Sequence, residues 1–219
     1  SSCYGQYDDA ERFAFYCKAV MEMLDLVDFH PQILHAHDWQ SALSIVYLKT
    51  KYNWKYGMVK AVFTIHNIEY QGKYSMDLLG DIFDLGPEHR GLMEYEMCIN
   101  LMKAAIECAD VVTTVSPTYA QQLFDDYYAH GLAHIIRNNA WKLKGILNGI
   151  DVESYNPETD PSLFVNYGVD TIERKKENKV QLQNMLGMHV EEGVPMIAMI
   201  TRLAGHKGLD LVGTVIEEI

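Results

Sequence analysis

Four short apolar runs recur along the chain: QILHAHD (32–38), VKAVFTIH (59–66), DVVTTVS (110–116) and LKGILNG (143–149). Each stays apolar at nearly successive positions and then ends in a polar tip. A strand that reads this way has both faces buried, which is the signature of a parallel sheet rather than a half-wet hairpin. Helical periodicity fills the gaps. Residues 10–27 place Phe13, Val20, Met21, Leu24 and Val27 on one stripe, and residues 39–52 do the same with Ala42, Leu43, Val46 and Tyr47. A long helix is expected over 88–108 and a further one over 131–140. Another begins at Pro117, with Ser116 as its N-cap. A loop is expected over 67–87. Strand and helix in alternation at this spacing imply an α/β class: a parallel sheet with helices on both faces.

The pattern changes after Ile150. DVESYNPETDPSLFVNYG is polar and carries Pro157 and Pro161, so 151–170 reads as a linker after a first domain of 1–150. A second domain starts within 171–219. It opens with a helix over 171–187, continues in the apolar run PMIAMITRL (195–203), expected as a buried strand, and enters a helix over 208–219. That helix aligns Leu209, Val212, Val215, Ile216 and Ile219 on one stripe.

Composition excludes several classes. The formal net charge is -12, which opposes binding to nucleic acid or anionic lipid, where Lys and Arg supply the affinity. No run approaches the ~18–20 apolar residues of a membrane span, and the first residues carry no basic-then-apolar secretory pattern. Cys3, Cys17, Cys98 and Cys108 lack CxxC spacing, so free thiols in a reducing cytoplasm are expected.

In open parallel sheets ligands bind beyond the carboxyl ends of the strands. There the first run offers His35, His37 and Asp38; the second His66, Asn67, Glu69 and Gln71; the third Ser116-Pro117; the fourth Asn148 and Asp151. The run at 195–203 adds Arg202, with Lys207 five residues on. Arg202 ends a predicted strand and Lys207 opens a predicted helix, between Gly205 and Gly208. An arginine fork, an ammonium and a helix N-terminus together suit a diphosphate. No GxGxxG follows any strand, and no GxxxxGK[ST] occurs. Plainer readings stand beside these: Asp38 as a cap of the helix that follows, Asn148-Gly149 as a turn, Arg202 and Lys207 as a solvated basic loop. A rival chemistry also stands: His35-x-His37 at a strand end resembles the opening ligand pair of a metal-dependent hydrolase, with His66 as a third ligand.

LHAHDWQSAL, FTIHNIEYQGKY, INLMKAAIECADVVTTVSPTYAQQL, GILNGIDVESYNPETD and ITRLAGHKGLDLV together resemble the bacterial glycogen synthases, relatives of the plant starch synthases, in the family's order and spacing from about Tyr4 to Ile219. The resemblance implies two facing Rossmann-like domains (the GT-B arrangement) with the active site in the cleft. It implies a retaining transfer of glucose from ADP-glucose to the non-reducing end of an α-1,4-glucan, with no cofactor and no catalytic metal. By the same resemblance Arg202 and Lys207 bind the diphosphate and stabilise the leaving group. His66 lies beside the transferred glucose, with Asn67 next to it in the HN motif. Asp38 orders the loop or contacts the sugar, and Asn148 contacts sugar or acceptor.

The family's Lys-Thr-Gly-Gly-Leu loop and its late acidic residue before a Gly-rich turn do not occur here. The chain is therefore expected to be a central fragment, inactive alone and prone to self-association through uncovered apolar surface. The alternative is a non-catalytic glucan- or nucleotide-binding piece.

Overall fold

Four strands hydrogen-bond in parallel: β1 (Ile33–His37), β2 (Lys60–Ile65), β3 (Val111–Thr114) and β4 (Leu143–Gly145), lying side by side in chain order. The computed structural model describes residues 5–218, apart from the side chain of His206. Cys3, expected as a free thiol, and Ile219, expected on the last helical stripe, lie outside the described residues. The chain divides into two compact units, 1–149 and 150–219.

Register sorts the sheet into two faces. His37 sits opposite Thr64, Thr64 opposite Thr113, and Thr113 opposite Lys144. Side chains alternate along a strand, so these residues share a face with His35 and Val62, while Ala36, Phe63, Ile65 and Val112 share the other. The Phe63 face is the core: Ala61, Phe63 and Ile65 have no exposed surface. It packs under helices Asp38–Lys49 and Leu101–Cys108, with helix Asp9–Met23 against the first of these. Leu43, Ile45 and Val46 of Asp38–Lys49 are fully covered as a result. Burying a Leu or Phe side chain is worth about 1.5–3 kcal/mol, so this layer is a major source of the first unit's stability. The α/β class with a parallel sheet is as expected. The His37 face is exposed in part: Thr64 and Thr113 at its centre are buried, while Ile33 is 58% exposed and His35, His37, Lys60 and Lys144 are exposed.

Several elements differ from expectation. The long helix over 88–108 is instead a short helical turn Arg90–Met93, a hairpin of Glu94–Tyr95 with Cys98–Asn100, and then helix Leu101–Cys108. The hairpin turns at Glu96 and Met97, both at positive φ (52 and 63°), which is the backbone of a two-residue primed turn. Asn100 restarts the helix by accepting a hydrogen bond from the Lys103 N–H at 3.0 Å. The expected loop over 67–87 holds the strand Lys73–Tyr74, paired with Cys98–Asn100, and the short helix Leu78–Asp81. The strand expected over 143–149 ends at Gly145. Ser116 caps Pro117–Gln122 as expected, accepting from the Tyr119 N–H at 2.9 Å.

In the second unit, a 3-10 stretch Val169–Arg174 leads into helix Lys175–Met185, in place of one helix over 171–187. PMIAMITRL is not a strand, and Ile197 and Ile200 are exposed. A strand needs a neighbour to satisfy its backbone N–H and C=O groups, and no other strand occurs among the described residues of this unit. The final helix spans Leu209–Val215 rather than 208–219.

Candidate active site

The carboxyl ends of β1 and β2 meet at a small polar cluster. Residues two apart on a strand point the same way, so His35 and His37 stack, ring centroids 4.2 Å apart. Parallel pairing then sets His66, the residue after β2, beside His37. His37 Nδ1 and His66 Nε2 share a hydrogen bond of 3.0 Å. His35 Nε2 bonds the Thr64 hydroxyl at 2.7 Å, and Thr64 bonds the Thr113 hydroxyl of β3 at 2.6 Å. Partial desolvation, reinforced by His37 and His66, holds the His35 imidazole below its usual pKa.

Asp38 is the hinge of this corner. Its φ is +54°, a left-handed backbone that few residues other than glycine, asparagine and aspartate adopt. The turn aims its carboxylate across to the next strand. Oδ1 accepts the His66 N–H at 2.8 Å and that of Asn67 at 3.5 Å. No cap bond from Asp38 occurs. The start of its helix is tied instead by Ser41, whose Oγ accepts the His37 N–H at 2.6 Å and donates to the His37 carbonyl at 2.7 Å.

The loop after His66 is pinned along its length. The Tyr119 hydroxyl accepts the Ile68 N–H at 3.2 Å, and Asn67 Oδ1 accepts the Glu69 N–H at 2.9 Å. Gln71 is a correction: it is buried and structural, donating to the His130 carbonyl at 3.0 Å and accepting from Asn100 Nδ2 at 2.8 Å. At the third strand end, Gly145 lets β4 pass the cap of helix Pro117–Gln122. A Cβ there would lie 2.3 Å from the Ser116 carbonyl oxygen. Asn148 follows in an exposed irregular segment.

The remaining candidates belong to the second unit. Asp151 closes a local turn, accepting the Ser154 and Glu153 N–H groups at 3.0 and 3.1 Å; these bonds, the backbone one from Ser154 foremost, keep its carboxyl below the usual range. Arg202 and Lys207 are exposed, the first in an irregular segment, the second at the end of the 3-10 turn Gly205–Lys207. Gly208 follows at φ +72° and leads into Leu209–Val215. The first unit thus brings together Asp38, His66 and Asn67, while Arg202 and Lys207 lie five residues apart on a separate unit.

Sequence reasoning missed the Thr64–Thr113 pair, Ser41 and Tyr119. Two hydroxyls at register-matched positions in otherwise apolar strands were the available signal for the first. The metal-ligand reading of His35, His37 and His66 meets a different arrangement: His37 and His66 turn nitrogens toward each other, and His35 turns its Nε2 to Thr64. No group of three His, Cys, Asp or Glu among the described residues is arranged to hold a metal ion. Cys17, Cys98 and Cys108 are free thiols, as expected. Burial, with Glu107 adding to it, pushes Cys108 up to about 11.

Residues 1–138 match the starch synthase catalytic domain. The chain belongs to the starch and glycogen synthase family. A glycogen synthase of Alkaliphilus metalliredigens is 44% identical over 99% of the chain, and one of Streptococcus mutans 43% identical over 95%. The catalytic domain of starch synthase IV from Arabidopsis thaliana, solved bound to ADP and acarbose, superposes with a TM-score of 0.87 at 36% identity over 98% of the chain. The chain spans about half the length of these synthases: 46% and 45% of the two glycogen synthases and 45% of the starch synthase chain. The α/β Rossmann-like class of the synthase fold is therefore that of this chain. No helix of the described residues is long and apolar enough to cross a membrane.

Proposed function

We propose that the whole protein is a glycogen synthase: a GT-B retaining glycosyltransferase that moves glucose from ADP-glucose to the non-reducing end of an α-1,4-glucan. The observation that carries this reading is the 44% identity to a glycogen synthase across 99% of the chain, taken with the Asp38–His66 corner at the carboxyl edge of the sheet. ADP and acarbose in the starch synthase neighbour support a nucleotide donor and a glucan-like acceptor. As the bond from glucose C1 to the diphosphate breaks, negative charge grows on the leaving oxygen. Arg202 and Lys207 are the proposed cations that stabilise it, chemistry that acts only as the charge develops. His66 and Asn67 are proposed to hold the transferred glucose, Asp38 to fix their backbone, and Asn148 to contact sugar or acceptor. This chemistry calls for no cofactor, and a nucleotide-sugar donor suits a cytoplasmic setting.

For this chain alone we propose binding without turnover. No Lys-Thr-Gly-Gly-Leu stretch occurs in its sequence, and positioning the donor supplies much of the barrier reduction. The exposed Ile33 edge of β1 favours self-association. The test is an assay of the full-length protein with ADP-glucose and glycogen. Incorporation of α-linked glucose is expected; β-linked product, or none, would overturn the assignment.

A further inference from the structure

We infer that His37 is a positioning residue for His66, fixing which ring nitrogen His66 presents to a ligand. The inference rests on the reading of His66 as the sugar-side histidine, and its geometry stands apart from that reading. The 3.0 Å bond between His37 Nδ1 and His66 Nε2 occupies one of the two polar atoms on the His66 ring. Nδ1 of His66 is then the ring atom left to meet a sugar hydroxyl. Only one proton fits between two facing ring nitrogens, so the bond also couples the tautomers: if His66 holds the proton on Nε2, its Nδ1 is an acceptor, and if His37 holds it, His66 Nδ1 is a donor.

The His37 side of the pair is itself braced. Ring stacking with His35, 4.2 Å between centroids, limits rotation of His37 about its side chain. His35 is in turn bonded to Thr64, which is bonded to Thr113 on the neighbouring strand. His37 thus rests against a ring that is itself tied across three strands. The His66 backbone is anchored separately by Asp38, so removing the His37 ring leaves the main chain of the loop in place while freeing the ring.

The experiment is ring-nitrogen NMR of the chain labelled with 15N-histidine, for the native sequence, His37→Ala and His37→Asn. The Asn amide reaches the position of Nδ1 and should restore the bond. In the native chain and in His37→Asn, His66 is expected to give the shifts of one dominant tautomer. In His37→Ala those shifts should collapse toward the average of the two. His66 shifts unchanged in His37→Ala would overturn the inference, as would averaged shifts in the native chain. Reading of the sugar contact is tested apart from this: ADP-glucose affinity unchanged in His66→Ala would overturn that reading and leave the tautomer result standing.

Discussion

At the scale of single residues, Asp38 sets the geometry of the candidate site. It is held at a φ of +54°, and the return is a carboxylate placed to accept the His66 and Asn67 N–H groups. Asp38→Ala should cost about 1–3 kcal/mol, since it removes a charged acceptor and leaves an unfavourable backbone. Amide hydrogen exchange at His66 should speed up selectively. Unchanged exchange there would show that the loop is held by something else. Asp38→Asn keeps the tolerance for positive φ and one acceptor oxygen, so it should fall between the two. His35 makes a pH prediction. Its pKa is lowered in the folded state, so the unfolded chain takes up the proton first. The contribution of His35 to stability is present above the ordinary histidine range near 6.5 and is lost as pH falls below it. Denaturant midpoints measured from pH 7.5 to 5.5 should decline, and the decline should be shallower in His35→Gln.

At the scale of elements, the strands carry the fold and one ion-paired residue ties two of them. Asp110, just before β3, accepts the Ala61 N–H at 2.7 Å and pairs with Lys49 at 2.8 Å. Burial pushes its carboxyl up, but these two partners outweigh burial and hold it low. Asp110→Ala should destabilise the first unit by about 1–3 kcal/mol, read as a shift of the urea midpoint with little change in slope. Phe63→Ala, in the centre of the covered face, should cost about 3–5 kcal/mol. The four strands were legible because a buried parallel strand leaves a run of apolar residues that needs no context. The hairpin at Glu94–Asn100 was not. EYEMCINLMKAAIECA keeps a helical stripe, and what breaks it is a pair of positive-φ residues, Glu96 and Met97, whose types carry no turn signal. PMIAMITRL shows the opposite limit: its composition is that of a buried strand, and composition cannot supply the neighbour a strand must pair with.

At the scale of the whole molecule, the two units divide the proposed labour. The first carries the Asp38–His66 corner proposed for the sugar, built on the sheet edge, and the second carries the two cations proposed for the diphosphate. Of that site, the HDW and HN positions were legible as polar tips of apolar runs, whereas the bond between His37 and His66 was not, because it follows from strand order and register. The exposed β1 edge should show in solution: light scattering over a concentration series should report a rising mass, and Ile33→Asp should suppress it. A constant monomer would count against that proposal. The most direct test of the account is calorimetry of ADP-glucose binding to this chain and to Arg202→Ala/Lys207→Ala. Weak binding that falls with added salt and is lost in the double variant is the predicted result. Binding of equal strength in both, or none in the native chain, would contradict the assignment of Arg202 and Lys207 to the diphosphate.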